Sequence, residues 1–162
     1  MKVEEIRVPN PGWGEQPLLA VVVSDPWDYP ADTHEHHVTE LVPQSEPMQV
    51  LAMALPKNHV VAPHTHTSQE RTVCTTQETL MVLSGRVSVD FYRANREWFC
   101  RRVIGPGDVV ILLSGGHGLT VLTPCRLIEV KTGPYYGRGL DKMEFTQSVS
   151  MDALLKLPTE DI

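Results

Sequence analysis

Residues 59–85 read HVVAPHTHTSQERTVCTTQETLMVLSG. An apolar, β-branched run ends in a His-x-His pair, His64 and His66. A polar interval follows, then Glu78 at the head of a second apolar run that closes at Gly85. Residues i and i+2 of a strand point to one side of its sheet, so the two imidazoles share a face. A carboxylate opening a neighbouring strand can complete one side of a metal site. A fourth candidate, His117, comes later in GPGDVVILLSGGHG, residues 105–118, where a turn feeds a strand and then a glycine-flanked histidine.

Outward from this stretch, the chain reads as short strands punctuated by Gly and Pro. LLAVVVSD (18–25), MQVLAMAL (48–55), VVAPHTHT (60–67), ETLMVLSG and RVSVDFY (78–92), WFCRRVI (98–104), VVILL (109–113), GLTVLT (118–123) and CRLIEVKT (125–132) are the expected strands. Pro63 removes one ladder donor just before His64, which suits a strand end or a bulge. Strands at this spacing, without heptads or repeats, indicate an all-β barrel or sandwich. Residues 1–17, with PNPGWGEQP, read as an irregular arm, and 26–47 as a long connection. His34, His36 and His37 lie in that connection and read as solvated side chains, with no carboxylate or cysteine at a fixed spacing. Near the end, SVSMDALLKLP (148–158) has Ser150 as an N-cap for a short helix.

The 162 residues fit one domain with a real core, and the 41% hydrophobic and 21% charged content is ordinary for a globular chain. A net charge of -6 argues against nucleic acid as a partner, because phosphate binding needs a basic face. No apolar run reaches the length of a membrane span, and MKVEEIRVPN is no signal peptide. The three cysteines, Cys74, Cys100 and Cys125, have no paired spacing and read as reduced thiols. The expectation is a cytoplasmic single-domain protein.

The two histidine-bearing stretches resemble the two sequence motifs of the cupin family. The first motif closes with Glu, six residues, then Gly, a spacing met by Glu78 and Gly85. Glu70 lies at the family's usual short distance from the His pair, but no glycine follows it at that spacing. Glu78 is preferred also because it begins an apolar strand that fixes its direction, whereas Glu70 sits in a polar loop. The second motif is matched by Gly105, Pro106, Gly107, Asp108 and His117. Gln77-Glu78, Gly115-Gly116-His117, Gly133-Pro134-Tyr135 and Asp141-Lys142 further resemble a subgroup of small cupins. The resemblance covers residues 48–145. It implies a double-stranded β-helix, or jelly-roll, barrel with its core over 48–132, an N-terminal arm over 1–47 and an extension over 133–162. It also implies a homodimer formed by exchanging or packing edge strands.

Three imidazoles and one carboxylate suit one divalent transition metal such as iron, manganese, nickel, cobalt or zinc, with positions left open for substrate. From Glu78 the alternation predicts Leu80 and Val82 inward, and from His117 it predicts Leu119 and Val121 inward. Arg71, in the loop after the His pair, could reach the mouth and pair with an anionic substrate group. Tyr135 and Lys142 are further candidates for the mouth, against a packing role for Tyr135. Glu129 and Lys131 share a strand face, where one of them could line the barrel interior, and an outward charged pair is the preferred reading; Asp141-Lys142 reads as a surface pair. The expected function is a metal-dependent oxygenase, isomerase or lyase acting on a small polar or anionic metabolite, such as a sugar derivative or carboxylic acid. The alternatives are a non-catalytic metal or small-ligand binding or sensor module, and a metal-independent sugar isomerase or epimerase.

Overall fold

Two runs rich in valine, LLAVVVS and VVIL, form the middle of the structure. The computed structural model of the chain describes residues 1–9, 16–26 and 34–146, and the backbone of 160–161. In chain order the strands are β1 (Lys2–Arg7), β2 (Leu18–Ser24), β3 (His37–Glu40), β4 (Leu51–Ala54), β5 (Glu78–Ser84), β6 (Val87–Tyr92), β7 (Trp98–Ile104), β8 (Val109–Leu112), β9 (Gly116–Val121), β10 (Arg126–Lys131) and β11 (Glu160–Asp161). One helical turn, α1 (Arg138–Asp141), lies between the last two. The fold is all-β, as expected, and among the described residues none of its three sheets closes on itself.

One sheet has the order β1-β2-β8-β5-β10 and a second the order β11-β7-β6-β9. Pairing is antiparallel throughout, except that β11 joins β7 in parallel. Between the two sheets lies a core of Ala20, Val22, Leu80, Val82, Val110 and Leu112 from the first and Val87, Val89, Phe91 and Ile104 from the second. A second cluster, Val21, Val23, Val109, Ile111 and Leu113, covers the other face of the five-stranded sheet. The β3–β4 hairpin lies on that face, contributing Ala52 beside Leu41 and Val42. Strands buried on both faces need apolar side chains on both, which is why β2 and β8 show runs rather than alternation.

Three parts of the chain depart from the sequence expectation. Lys2–Arg7 is not part of an irregular arm: it pairs with β2, buries Ile6 and sends Glu4 to Arg102 of the opposite sheet, with Nε–Oε2 2.9 Å. Within the 26–47 connection, His37–Glu40 forms β3. Residues 60–67, expected to be a strand, join no sheet among the described residues, with Val60 79% and Val61 61% exposed. The helix expected over 148–158 lies outside the described residues. Among the described residues no helix is long and apolar enough to cross a membrane.

Two glycines close the ends of the strands that carry Glu78 and His117. Gly85 has φ +82°, and a Cβ there would sit 2.3 Å from the carbonyl oxygen of Pro124. Gly115 has φ +71°, and its Cβ would meet the Tyr92 carbonyl oxygen at 2.5 Å. In both places an L side chain meets backbone as well as an unfavourable φ. Gly85→Ala is expected to cost about 2–4 kcal/mol, read by chemical denaturation; a change below about 0.5 kcal/mol would contradict this packing.

Candidate metal centre

Register decides which side chains meet. Glu78 opens β5 opposite Leu112 of β8 and Lys131 of β10, and in an antiparallel ladder opposed residues share a face. Leu112 belongs to the core between the sheets, so Glu78 and Lys131 face that interior as well. On the other sheet His117 stands opposite Phe91, a core residue, and therefore faces the same interior from the opposite side. The two meet at one end of the sandwich, with His117 Nε2 3.1 Å from Glu78 Oε2. Leu80 and Val82 point inward from Glu78 as expected and are buried. Leu119 and Val121 share the face of His117 yet stay exposed, Val121 by 58%, because nothing among the described residues covers that side.

Glu78 is held in place by its neighbour. Gln77 is buried, its Nε2 donates to Glu46 Oε2 at 2.8 Å, and its Oε1 accepts the Met48 N–H at 2.9 Å. The Gln77 N–H donates to Thr132 Oγ1 at 3.1 Å, and its carbonyl accepts the Thr132 N–H at 3.0 Å. Polar contacts on both sides of a buried amide leave the next residue little freedom. The strand end that carries the candidate carboxylate is therefore rigid.

Two lysines approach the same carboxylate. Lys131 Nζ lies 3.9 Å and Lys142 Nζ 4.0 Å from Glu78 Oε1. Lys131 also meets Glu129 Oε1 at 3.1 Å and stands 4.7 Å from the centre of the Tyr135 ring. The preference for an outward-facing pair is thus corrected at Lys131, which ladder pairing with Glu78 turns inward, while Glu129 stays exposed. The Asp141-Lys142 surface pair is corrected too. Asp141 Oδ2 accepts the backbone N–H groups of Tyr136 and Gly137, at 2.7 and 3.1 Å, while Lys142 turns to Glu78. The sequence offers Lys142 for the mouth and one of Glu129 and Lys131 for the interior, but ties neither lysine to Glu78.

The Glu78 carboxyl is held below its ordinary value of 4.5, first by the hydrogen bond with His117 and then by the charges of His117, Lys142 and Lys131, all against the opposing effect of burial. A depressed carboxyl stabilises the fold above its unfolded-state value, and that contribution is lost as pH falls through the folded-state value. The gap in melting temperature between wild-type and Glu78→Gln protein, both metal-free, is therefore expected to be widest near pH 6 and to shrink below about pH 4. A gap independent of pH would show that the ionised carboxylate adds nothing.

Glu78 and His117 open onto a cavity of about 760 Å³ that is also lined by Cys74, Thr76, Ser114 and Lys142. Beside it, a small recess is lined by Glu78, Lys131, Tyr135 and Lys142, which puts Tyr135 at the rim. His64 and His66 do not join Glu78 and His117 in the structure. They lie on the exposed 59–76 segment, their rings 5.2 Å apart, with His64 Nδ1 2.9 Å from the Ala62 carbonyl oxygen. Arg71 and Glu70 are exposed on the same segment. Among the described residues no three His, Cys, Asp or Glu side chains are grouped closely enough to hold a metal ion. Two of the four expected ligands are thus assembled, and the other two are on the segment that leads into β5. Comparison with protein-family models, curated proteins and solved structures finds no match to this chain.

Proposed function

We propose that the protein is a cupin-like, metal-dependent enzyme acting on a small anionic metabolite, with a centre made by His64, His66, Glu78 and His117. The observation that carries this reading is the meeting of Glu78 and His117, one from each sheet, at the mouth of a 760 Å³ cavity. Their nitrogen and oxygen donors suit iron, manganese, nickel, cobalt or zinc once two further imidazoles arrive. A metal held there would supply Lewis-acid or oxygen-activating chemistry. The residues described here would orient the substrate and set the charge around it.

The missing half of the centre has a place to go. Among the described residues β9 pairs only with β6 and none of them occupies its second edge, where Leu119 and Val121 stand exposed beside His117. Residues 60–67 are β-branched, apolar at Val60 and Val61, and unpaired. A strand is stabilised by its neighbour rather than by its own propensity, so each is the natural partner of the other. Docked on β9, the segment would bring His64 and His66 to the side of His117. The 22 residues between Ala54 and Gln77 can span about 70 Å, so reach does not limit the docking. In the homodimer we propose, the segment of a second copy can fill the same edge.

Hydrogen exchange tests the docking. Amides of 60–67 are expected to exchange freely in metal-free protein and to become protected at least about tenfold when zinc or nickel is added. Unchanged exchange with metal bound would contradict a centre that includes His64 and His66. A metal-independent isomerase is the second reading, favoured by the His117–Glu78 contact, which already pairs an imidazole with a carboxylate. Turnover that survives chelation would favour it.

A further inference from the structure

The two lysines beside Glu78 have no role in holding a metal, since an ammonium group offers only donors. Their placement is nonetheless specific. Lys131 comes from the last residue of β10 and Lys142 from the residue after α1, and both ammonium groups converge on one oxygen, Glu78 Oε1. At 3.9 and 4.0 Å they stand beyond the 2.7–2.9 Å of a direct charge-assisted hydrogen bond, so neither is locked to the carboxylate. Lys131 is braced by Glu129 and by the Tyr135 ring, which fixes its direction. The other acids nearby are engaged: Asp141 holds backbone N–H groups, and Glu144 is paired with Arg138. Glu78 is therefore the acid that faces both ammonium groups.

We propose that Lys131 and Lys142 form a two-ammonium cradle for the oxyanion of a small substrate, a carboxylate or a phosphate group, and that the cradle opens when Glu78 turns its charge to a metal ion. The trigger rests on the metal-centre reading; the cradle itself rests only on the geometry above. In the metal-free protein Glu78 acts as the internal anion and occupies the place of the ligand. Once its charge is neutralised, both ammonium groups face the recess that Glu78 shares with the cavity, and Lys142 also lines the cavity itself. Glu129 stays on Lys131, while the nearby Asp141 is engaged with backbone N–H groups. An anion bound there lies next to His117 and to the open side of the proposed centre, and Tyr135 at the rim limits its approach. The substrate class that fits is a small acid, not a neutral sugar.

Glu78→Gln removes the internal anion with no metal present, so it tests the cradle apart from the metal. Binding of succinate and, separately, of inorganic phosphate is measured by calorimetry at low salt on metal-free wild-type, Glu78→Gln and Glu78→Gln/Lys131→Met/Lys142→Met proteins. At least one anion is expected to bind Glu78→Gln about tenfold more tightly than wild type, with the gain absent in the triple variant. Which anion gains tells a carboxylate ligand from a phosphate ligand. Equal weak binding in wild type and Glu78→Gln, or a gain that survives loss of both lysines, overturns the proposal. Glu78→Ala serves as the second variant should Glu78→Gln not fold. If wild-type protein takes up no metal while Glu78→Gln gains the anion, the cradle stands and the metal-centre reading falls.

Discussion

Asp90→Ala is expected to destabilise the protein by about 3–5 kcal/mol, the largest loss of any single substitution discussed here. Asp90 of β6 stands directly opposite Arg101 of β7, and both side chains are almost wholly buried. The pair is bidentate, with Nε–Oδ1 2.8 Å and Nη2–Oδ2 2.9 Å, and the Trp98 indole N–H adds a third donor to Oδ1 at 3.0 Å. Alanine at 90 removes the bidentate carboxylate that faces the buried guanidinium, and also the acceptor of the Trp98 N–H, and the loss of these buried charge-assisted bonds dominates the cost. Chemical denaturation reads the effect directly. Replacing both residues together, as Asp90→Leu with Arg101→Met, should recover most of the loss, because a buried ion pair adds little beyond what apolar packing gives. A single-variant loss below about 1 kcal/mol would show that Arg101 finds water or another acid.

Glu78→Gln is expected to weaken metal binding by more than about a hundredfold, since removing even an outer hydrogen-bond partner of a ligand costs 10–100-fold and Glu78 is placed as a direct ligand. Glu70→Gln should leave affinity within about threefold, as expected for an exposed side chain outside the centre. The contrast comes from position. Glu78 is buried, fixed through Gln77 and 3.1 Å from His117, whereas Glu70 is exposed on the segment that carries the His pair. Competition against a metal-sensitive dye compares the two variants in one experiment. Equal losses, or a larger loss for Glu70→Gln, would move the carboxylate to the docking segment.

The strands that the sequence reveals are those whose side chains declare a buried face. Apart from residues 60–67, the expected runs from LLAVVVS to RLIEVK lie close to where their apolar patterns place them. β1 is hidden because KVEEIR buries chiefly Ile6, and the neighbouring PNPGWGEQP dominates the reading of that region. Residues 60–67 mislead in the opposite direction. Their β-branched composition favours a strand, but a strand needs an edge to pair with, and composition does not say whether that edge is filled. The site divides along the same line. Glu78 is legible from the alternation of its strand, and His117 from its glycine-flanked place after a turn. Lys131 is less so, because a charged side chain defaults to solvent unless register turns it inward, and register is a property of two strands. Lys142 is offered for the mouth, but its approach to Glu78 depends on the turn after α1, which no strand pattern announces. Gln77 has a weak sequence signal, its place just before Glu78; its contacts to Glu46, Met48 and Thr132 join residues up to 55 positions away.

The most direct test of the proposed centre is the metal content of the protein as purified, by inductively coupled plasma mass spectrometry without added metal, alongside a His64→Ala/His66→Ala variant. Close to one iron, manganese, nickel, cobalt or zinc per chain is expected in the wild type and little in the variant, because the two histidines would supply half of the ligands. Iron would direct the next assay to oxygen consumption, and zinc or nickel to lyase or isomerase turnover. A wild-type protein that carries no metal and takes up none on addition, or a variant that keeps its full metal complement, would contradict a centre built from His64, His66, Glu78 and His117.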